Sequence, residues 1–164
     1  MIREAERAEW DWLGQCEALT GFGISNLNMD CSIIMKVKQT VDGITDESEL
    51  FTRGEFRFHD GSYYIDYDES EATGFTGSHA QLKVDDKMLS MTRTGTTFTG
   101  LVFENGVRHY CHYGTEYGDC MVGITTSLMK QNLSSDGGEI HLKYSVDVNA
   151  GLMTENEINI KVKM

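Results

Sequence analysis

The sequence predicts an all-β protein, a closed or nearly closed antiparallel up-and-down β-barrel of about 8–10 strands. Three observations carry this reading. From Cys31 onward, apolar and polar residues alternate in segment after segment, the pattern of a strand with one buried face. Turn signals built on Gly, Asn and Asp break the alternation roughly every 8–15 residues. No helical periodicity lies between the strands, so neighbours connect as antiparallel hairpins. About ten strands exceed what an open twisted sheet carries comfortably, and closure removes the exposed edges. A two-sheet sandwich is the second arrangement that the pattern allows.

Composition narrows the function classes. A chain of 164 residues fits one domain, and 40% hydrophobic with 24% charged residues is ordinary for a folded one. The formal net charge is −12. That balance disfavours nucleic-acid phosphates and anionic membrane surfaces, whose partners are rich in Lys and Arg. No run approaches the length of a membrane-spanning helix, and the first residues are acidic with no apolar leader core. The expectation is a cytoplasmic protein in which Cys16, Cys31, Cys111 and Cys120 stay reduced thiols. Proline is absent, so tight turns fall mainly to Gly, Asn and Asp.

Two regions differ in kind. Residues 1–30 form an N-terminal extension in which Ile2, Ala5, Trp12, Cys16 and Leu19 share a stripe at helical spacing. Gly21-Phe22-Gly23 stops any helix there. The extension is read either as a cap on a barrel mouth or as upstream sequence ahead of a start at Met29. Residues 31–164 are the barrel domain.

Within the barrel, residues 32–40 alternate Ile33, Met35 and Val37 against Lys36, Lys38 and Thr40, and Asp42-Gly43 turns the chain. Residues 47–59 set Leu50, Thr52, Phe56 and Phe58 inward against Glu49, Arg53, Glu55 and Arg57, with Gly54 as a bulge or corner. Asp60-Gly61 leads into residues 62–70, where Tyr63, Ile65, Tyr67 and Glu69 share a face. After a looser connection over 72–77, Ala80, Leu82 and Val84 face inward. Asp85-Asp86 leads to residues 88–94, with Leu89, Met91 and Arg93 on one face. Residues 97–103 follow Gly95, and Asn105-Gly106 is a two-residue hairpin signal. Residues 107–113 and 118–126 pair across the loop 114–117. The expected register sets Tyr113 against Gly118, Cys111 against Cys120, His109 against Val122 and Val107 against Ile124. Residues 128–133 read as a short, ambiguous segment. Residues 139–148 alternate clearly, with Ile140, Leu142, Tyr144, Val146 and Val148 on one face. The last strand carries Ile158, Ile160 and Val162 inward.

The ordered motifs GEFRFHDGSYYIDYDESEATG, MTRTG, LVFENGVRHYCHYGTEYGDCMVGITTSLM and GGEIHLKYSVDV resemble the YwiB-like bacterial family. The resemblance runs over about residues 33–164. It implies a calycin-like (lipocalin-like) barrel, bacterial and cytoplasmic, with a domain of unknown function. It supplies no catalytic residues. Calycin kinship suggests small-molecule binding by analogy of fold.

The residues that could carry chemistry are charges on apolar faces. Tyr67, Glu69 and Arg93 fall on core faces, and His109 joins them if the register holds. These four are the candidate ligand-binding residues of the barrel interior. A buried carboxylate and guanidinium must pair, so one reading is a Glu69–Arg93 brace in a packed interior. The other leaves Arg93 free to grip a small anionic or amphipathic ligand. His109, Cys111 and Cys120 have no zinc-ligand spacing, and the acidic run 66–71 lacks a calcium-loop pattern. No catalytic residue, metal or cofactor is assigned. The sequence lacks a G-x-S-x-G nucleophile elbow, and a non-enzymatic role is expected. Phe51 and Tyr64 on outward faces motivate a protein-contact surface, a homodimer included.

Overall fold

The computed structural model describes residues 27–149 and 151–164, so the expected N-terminal helix lies outside the described residues. Ten strands follow in chain order: β1 Met29–Val41, β2 Ile44–His59, β3 Ser62–Asp68, β4 His79–Val84, β5 Met88–Thr94, β6 Thr99–Glu104, β7 Arg108–Thr115, β8 Gly118–Ser134, β9 Gly137–Val148 and β10 Leu152–Lys163. Each pairs antiparallel with its chain neighbour, and β10 returns to β1 to close the barrel. The closing ladder runs from Ser32↔Lys163 to Val41↔Thr154. The all-β, up-and-down, closed architecture is the one the alternation predicts.

The core follows the expected faces. Ile33, Phe56, Ile65, Val84, Leu89, Ile124 and Ile140 are fully buried inside the barrel. Phe103 of β6 meets Tyr144 of β9 edge-on, with ring centroids 4.7 Å apart. These two strands share no ladder, so the contact crosses the interior. Turn chemistry also behaves as read: Asp42-Gly43 and Asp60-Gly61 both take positive φ, as a tight hairpin turn of this kind requires.

The structure corrects three local expectations. In the β7–β8 hairpin, Thr115 opposes Gly118, Tyr113 opposes Cys120, Cys111 opposes Val122 and His109 opposes Ile124. The turn is tighter than expected because the Thr115 hydroxyl donates to the Gly118 carbonyl and accepts from the Tyr117 amide. The partner of each residue moves by two positions, and a shift of two keeps every side chain on its face. Val107 is not part of the ladder; its amide donates to the Glu104 carbonyl, and it is partly exposed. The short segment 128–133 belongs to the long β8, interrupted by a bulge between Thr126 and Leu128. Inserting Ser127 flips the alternation midway, which hides one strand as two. Gly54 is a point of close approach without a bulge, since a Cβ there would collide with the Asp66 carbonyl oxygen and Ile33.

Candidate functional site

The internal charge cluster is built by β3, β5 and the connection between β3 and β4. Tyr67 opposes Ala80, which opposes Arg93, so three adjacent strands place them in one row. Glu69 lies two residues beyond Tyr67 on the same face. Its amide donates to the Ser78 carbonyl at 2.9 Å, which holds the end of β3 against the start of β4. Arg93 Nε donates to Glu69 Oε1 at 2.9 Å. The side chains are 9% and 1% exposed, so this pair is shielded from water and salt in a way surface pairs are not. The Glu69 Oε2 atom has no hydrogen-bond partner among the described residues.

A loop covers the pair. Residues 69–78 include a single 3-10 turn, Glu71–Thr73, and then bring Phe75 over Arg93. The guanidinium carbon sits 3.6 Å from the centre of the Phe75 ring, within cation–π range. The loop is tied down by Ser78 Oγ and Thr96 Oγ1, 2.9 Å apart. Gly95 admits this packing because a Cβ on it would meet the Gly77 carbonyl oxygen at 2.5 Å. Tyr67 is buried, and burial raises its phenol well above the ordinary tyrosine range; Glu69 raises it further and Arg93 opposes the shift. Its proton is therefore held tightly, and a neutral hydroxyl faces the pair.

The structure brings Tyr67, Glu69 and Arg93 together and leaves His109 elsewhere. His109 Nε2 lies 2.8 Å from Glu104 Oε2, and the ring is about one-third exposed. It stands near the β6–β7 turn, whereas Arg93 stands near the β5–β6 turn. Those turns are at opposite ends of β6, on the order of 13–20 Å apart by strand rise. Phe75 is the member of the cluster that sequence reasoning missed. It lies in a stretch with no periodicity, and its only signal was a lone aromatic in a Gly-bearing loop.

The other candidate groups are dispersed. Cys31, Cys111 and Cys120 are free thiols. Cys111 is buried and accepts the Val102 amide at 3.4 Å, and burial pushes its pKa up. Cys120, expected beside it, is exposed near the β7–β8 turn and faces Tyr113. Asp66 and Asp68 hold His79, with Nδ1 2.9 Å from Asp68 and Nε2 3.2 Å from Asp66. That contact raises the His79 pKa, Asp68 first. Among the described residues no three such groups gather at metal-binding geometry. Phe51 is 63% exposed, while Tyr64 is covered by Arg57 at 4.2 Å from its ring centre.

A family model described as Domain of unknown function (DUF1934) matches residues 33–160, which spans nearly the whole barrel. The chain belongs to this family. Its fold is similar to the crystal structure of the ywiB protein from Bacillus subtilis, with a TM-score of 0.71 at 17% identity over 84% of this chain and 94% of that one. At that identity the likeness bears on the fold, and it agrees with the resemblance seen in the motifs. No curated protein matches the sequence. A carboxylate bonded to a guanidinium beneath an aromatic lid is a brace, with one open acceptor at Glu69 Oε2.

Proposed function

We propose that this member of the DUF1934 family is a non-enzymatic recognition module with a packed barrel, and that its contacts with other molecules are made on the outside. The commitment of Arg93 carries the reading. Its Nε is bound to Glu69 and one face is covered by Phe75, so the guanidinium is held in place and an anion entering the barrel would compete with Glu69 for it. The Phe103–Tyr144 contact supports the same view, since aromatic rings occupy space that a ligand would need. Native mass spectrometry and thermal-shift measurements against small carboxylates and fatty acids test it. The expected result is no bound mass and an unchanged Tm. A ligand that raises Tm in the native chain and fails to do so in an Arg93→Met variant would overturn it.

One observation favours a second reading, an interior small-molecule site. A buried carboxylate oxygen without a donor costs about 1–3 kcal/mol or more, so Glu69 Oε2 calls for a hydroxyl or ammonium group from water or ligand. A ligand class rich in donors is then the one to screen, ahead of the anionic class that a free arginine would select.

A further inference from the structure

We infer that the open edge of β2, residues 44–53, is the docking site for an extended basic segment of another protein, added to the sheet as an extra strand. The inference rests on the reading that recognition takes place outside the barrel, and it names the place and the partner.

The edge arises from unequal strand lengths. β2 pairs with β1 along Ile44 to Phe56. On its other side it meets β3 only from Gly54↔Tyr67 to His59↔Ser62. Residues 44–53 therefore have a strand on one side alone among the described residues. Their backbone polar groups on the second side form a template for another strand.

A comparable edge elsewhere in the barrel is capped. β8 runs on past Arg108↔Thr125, its last pair with β7. There Gly106 and Val107 exchange backbone hydrogen bonds with Thr126. The Asn105 side chain then takes the place of a strand at Met129, donating to its carbonyl at 2.9 Å and accepting from its amide at 2.5 Å. Further along, the Gln131 side chain accepts from the Leu133 amide. On residues 44–53 the single side-chain contact with backbone is Thr52 Oγ1 to the adjacent Arg53 carbonyl, at 3.4 Å, among the described residues. Apart from its charged side chains, the edge lacks the usual blunting devices. The chain has no proline, and the β1–β2 register runs without a bulge. Ile44 and Phe51 are 70% and 63% exposed.

Charge selects the occupant. Residues 44–53 carry Asp46, Glu47 and Glu49 against a single cation, Arg53, at the end nearest β3. Opposite charges directly across a ladder stabilise it, and like charges destabilise it. Lys36 lies 4.0 Å from Glu49 with both side chains largely exposed, a contact weak enough to leave Glu49 available. A second copy fits less well: two-fold pairing centred on Ser48 sets each Glu47 against a Glu49, and pairing centred on Leu50, which sets Glu47 against Arg53, is confined to residues 47–53 because Gly54 is already paired with Tyr67. A strand bearing Lys or Arg at alternate positions fits well.

Amide hydrogen exchange on the full chain tests this, with synthetic peptides of about nine residues, a common strand length. The probe alternates Lys and Val; one control alternates Glu and Val, and another places a proline at the centre of the Lys/Val peptide. The Lys/Val peptide is expected to slow exchange at residues 44–53 by about tenfold, with affinity falling as salt rises. The controls are expected to leave exchange unchanged. A triple variant that removes the charge without placing like charges opposite Lys36 and Lys38, Asp46→Asn, Glu47→Gln and Glu49→Gln, should lose most of the response and its salt dependence while exchange along β1 changes little. Equal slowing by the Glu/Val peptide, or no slowing by the Lys/Val peptide, overturns the inference. So does slow exchange on both sides of residues 44–53 in the free protein. In that case the occupant is another part of this chain, or a second copy if the protection depends on concentration. The packed-barrel reading on which the inference rests fails instead on an Arg93-dependent interior ligand, so the two failures are separable.

Discussion

A guanidinium and a carboxylate removed from water together are held there mainly by each other. Arg93 and Glu69 are nearly sealed, so deleting one partner strands the other. Arg93→Met or Glu69→Gln should each cost about 3–5 kcal/mol, read from chemical denaturation. The double change Glu69→Leu with Arg93→Met should recover most of that loss, because a well-packed apolar pair often replaces a buried ion pair at little cost. A double variant no more stable than the singles would show that the pair does more than brace. The same residues show what the sequence could reveal. Alternation alone put Tyr67, Glu69 and Arg93 on inner faces, because a strand's period is two whatever the fold. It could not place His109 relative to them, since distance along the barrel depends on which strands are neighbours and how they are staggered. Phe75 was beyond reach for a different reason: a loop has no period to read.

Buried tyrosines contribute to the alkaline pH dependence. Burial raises Tyr67 above the ordinary range, and burial with Tyr113 nearby pushes Tyr144 up to about 12. In the unfolded chain both ionise near pH 10. Between there and the folded-state value, the unfolded chain has released protons that the folded one still holds. The tyrosine contribution is therefore undiminished below about pH 10 and falls as pH rises further, by about 1.4 kcal/mol per pH unit for a tyrosine such as Tyr67; the buried Cys31 and Cys111 thiols, also raised by burial, add a loss of the same sign that begins lower, in the ordinary thiol range. Denaturation curves at pH 9 and pH 11 should diverge accordingly, and Tyr67→Phe should shrink the difference. An unchanged difference would mean that Tyr67 ionises as freely folded as unfolded.

Among the elements, β8 was the least legible and is structurally the most demanding. Its bulge at Ser127 splits one apolar face into two out-of-phase halves, so the pattern suggested a break where the backbone continues. The Asn105-Gly106 signal was read as a two-residue hairpin; the chain does turn there, with the Val107 amide on the Glu104 carbonyl, but over three residues, and β6 and β7 pair only at Thr99↔Tyr113 and Gly100↔His112. Its second role, the amide of Asn105 bonded to both backbone groups of Met129, appears only when β6 and β8 are brought together. Asn105→Ala should leave those Met129 groups without protein partners and cost about 1–3 kcal/mol. Exchange of the Met129 amide should rise beyond the change in global stability. Asn105→Asp would restore only the acceptor, and the amide should regain protection while the carbonyl stays unmet.

At the scale of the whole molecule, closure sets the folding order. Nine of the ladders join chain neighbours, and the tenth joins β1 to β10 across most of the sequence. Loop-closure entropy has to be met before so distant a contact stabilises anything, so this ladder should form late. Ile160 and Val162 are buried on β10 and sit opposite Met35 and Ile33. Ile160→Val should cost about 0.5–1.5 kcal/mol, and Val162→Ala should be of similar or larger size. A contact absent from the transition state affects unfolding alone, so both changes should speed unfolding and leave the refolding rate nearly as it was. A matched change within a local hairpin, Leu82→Ala between β3 and β5, should slow refolding instead. Stopped-flow chevrons decide the matter. Slower refolding in the β10 variants, with unfolding unchanged, would mean that the barrel closes early and that its hairpins complete around an already joined seam.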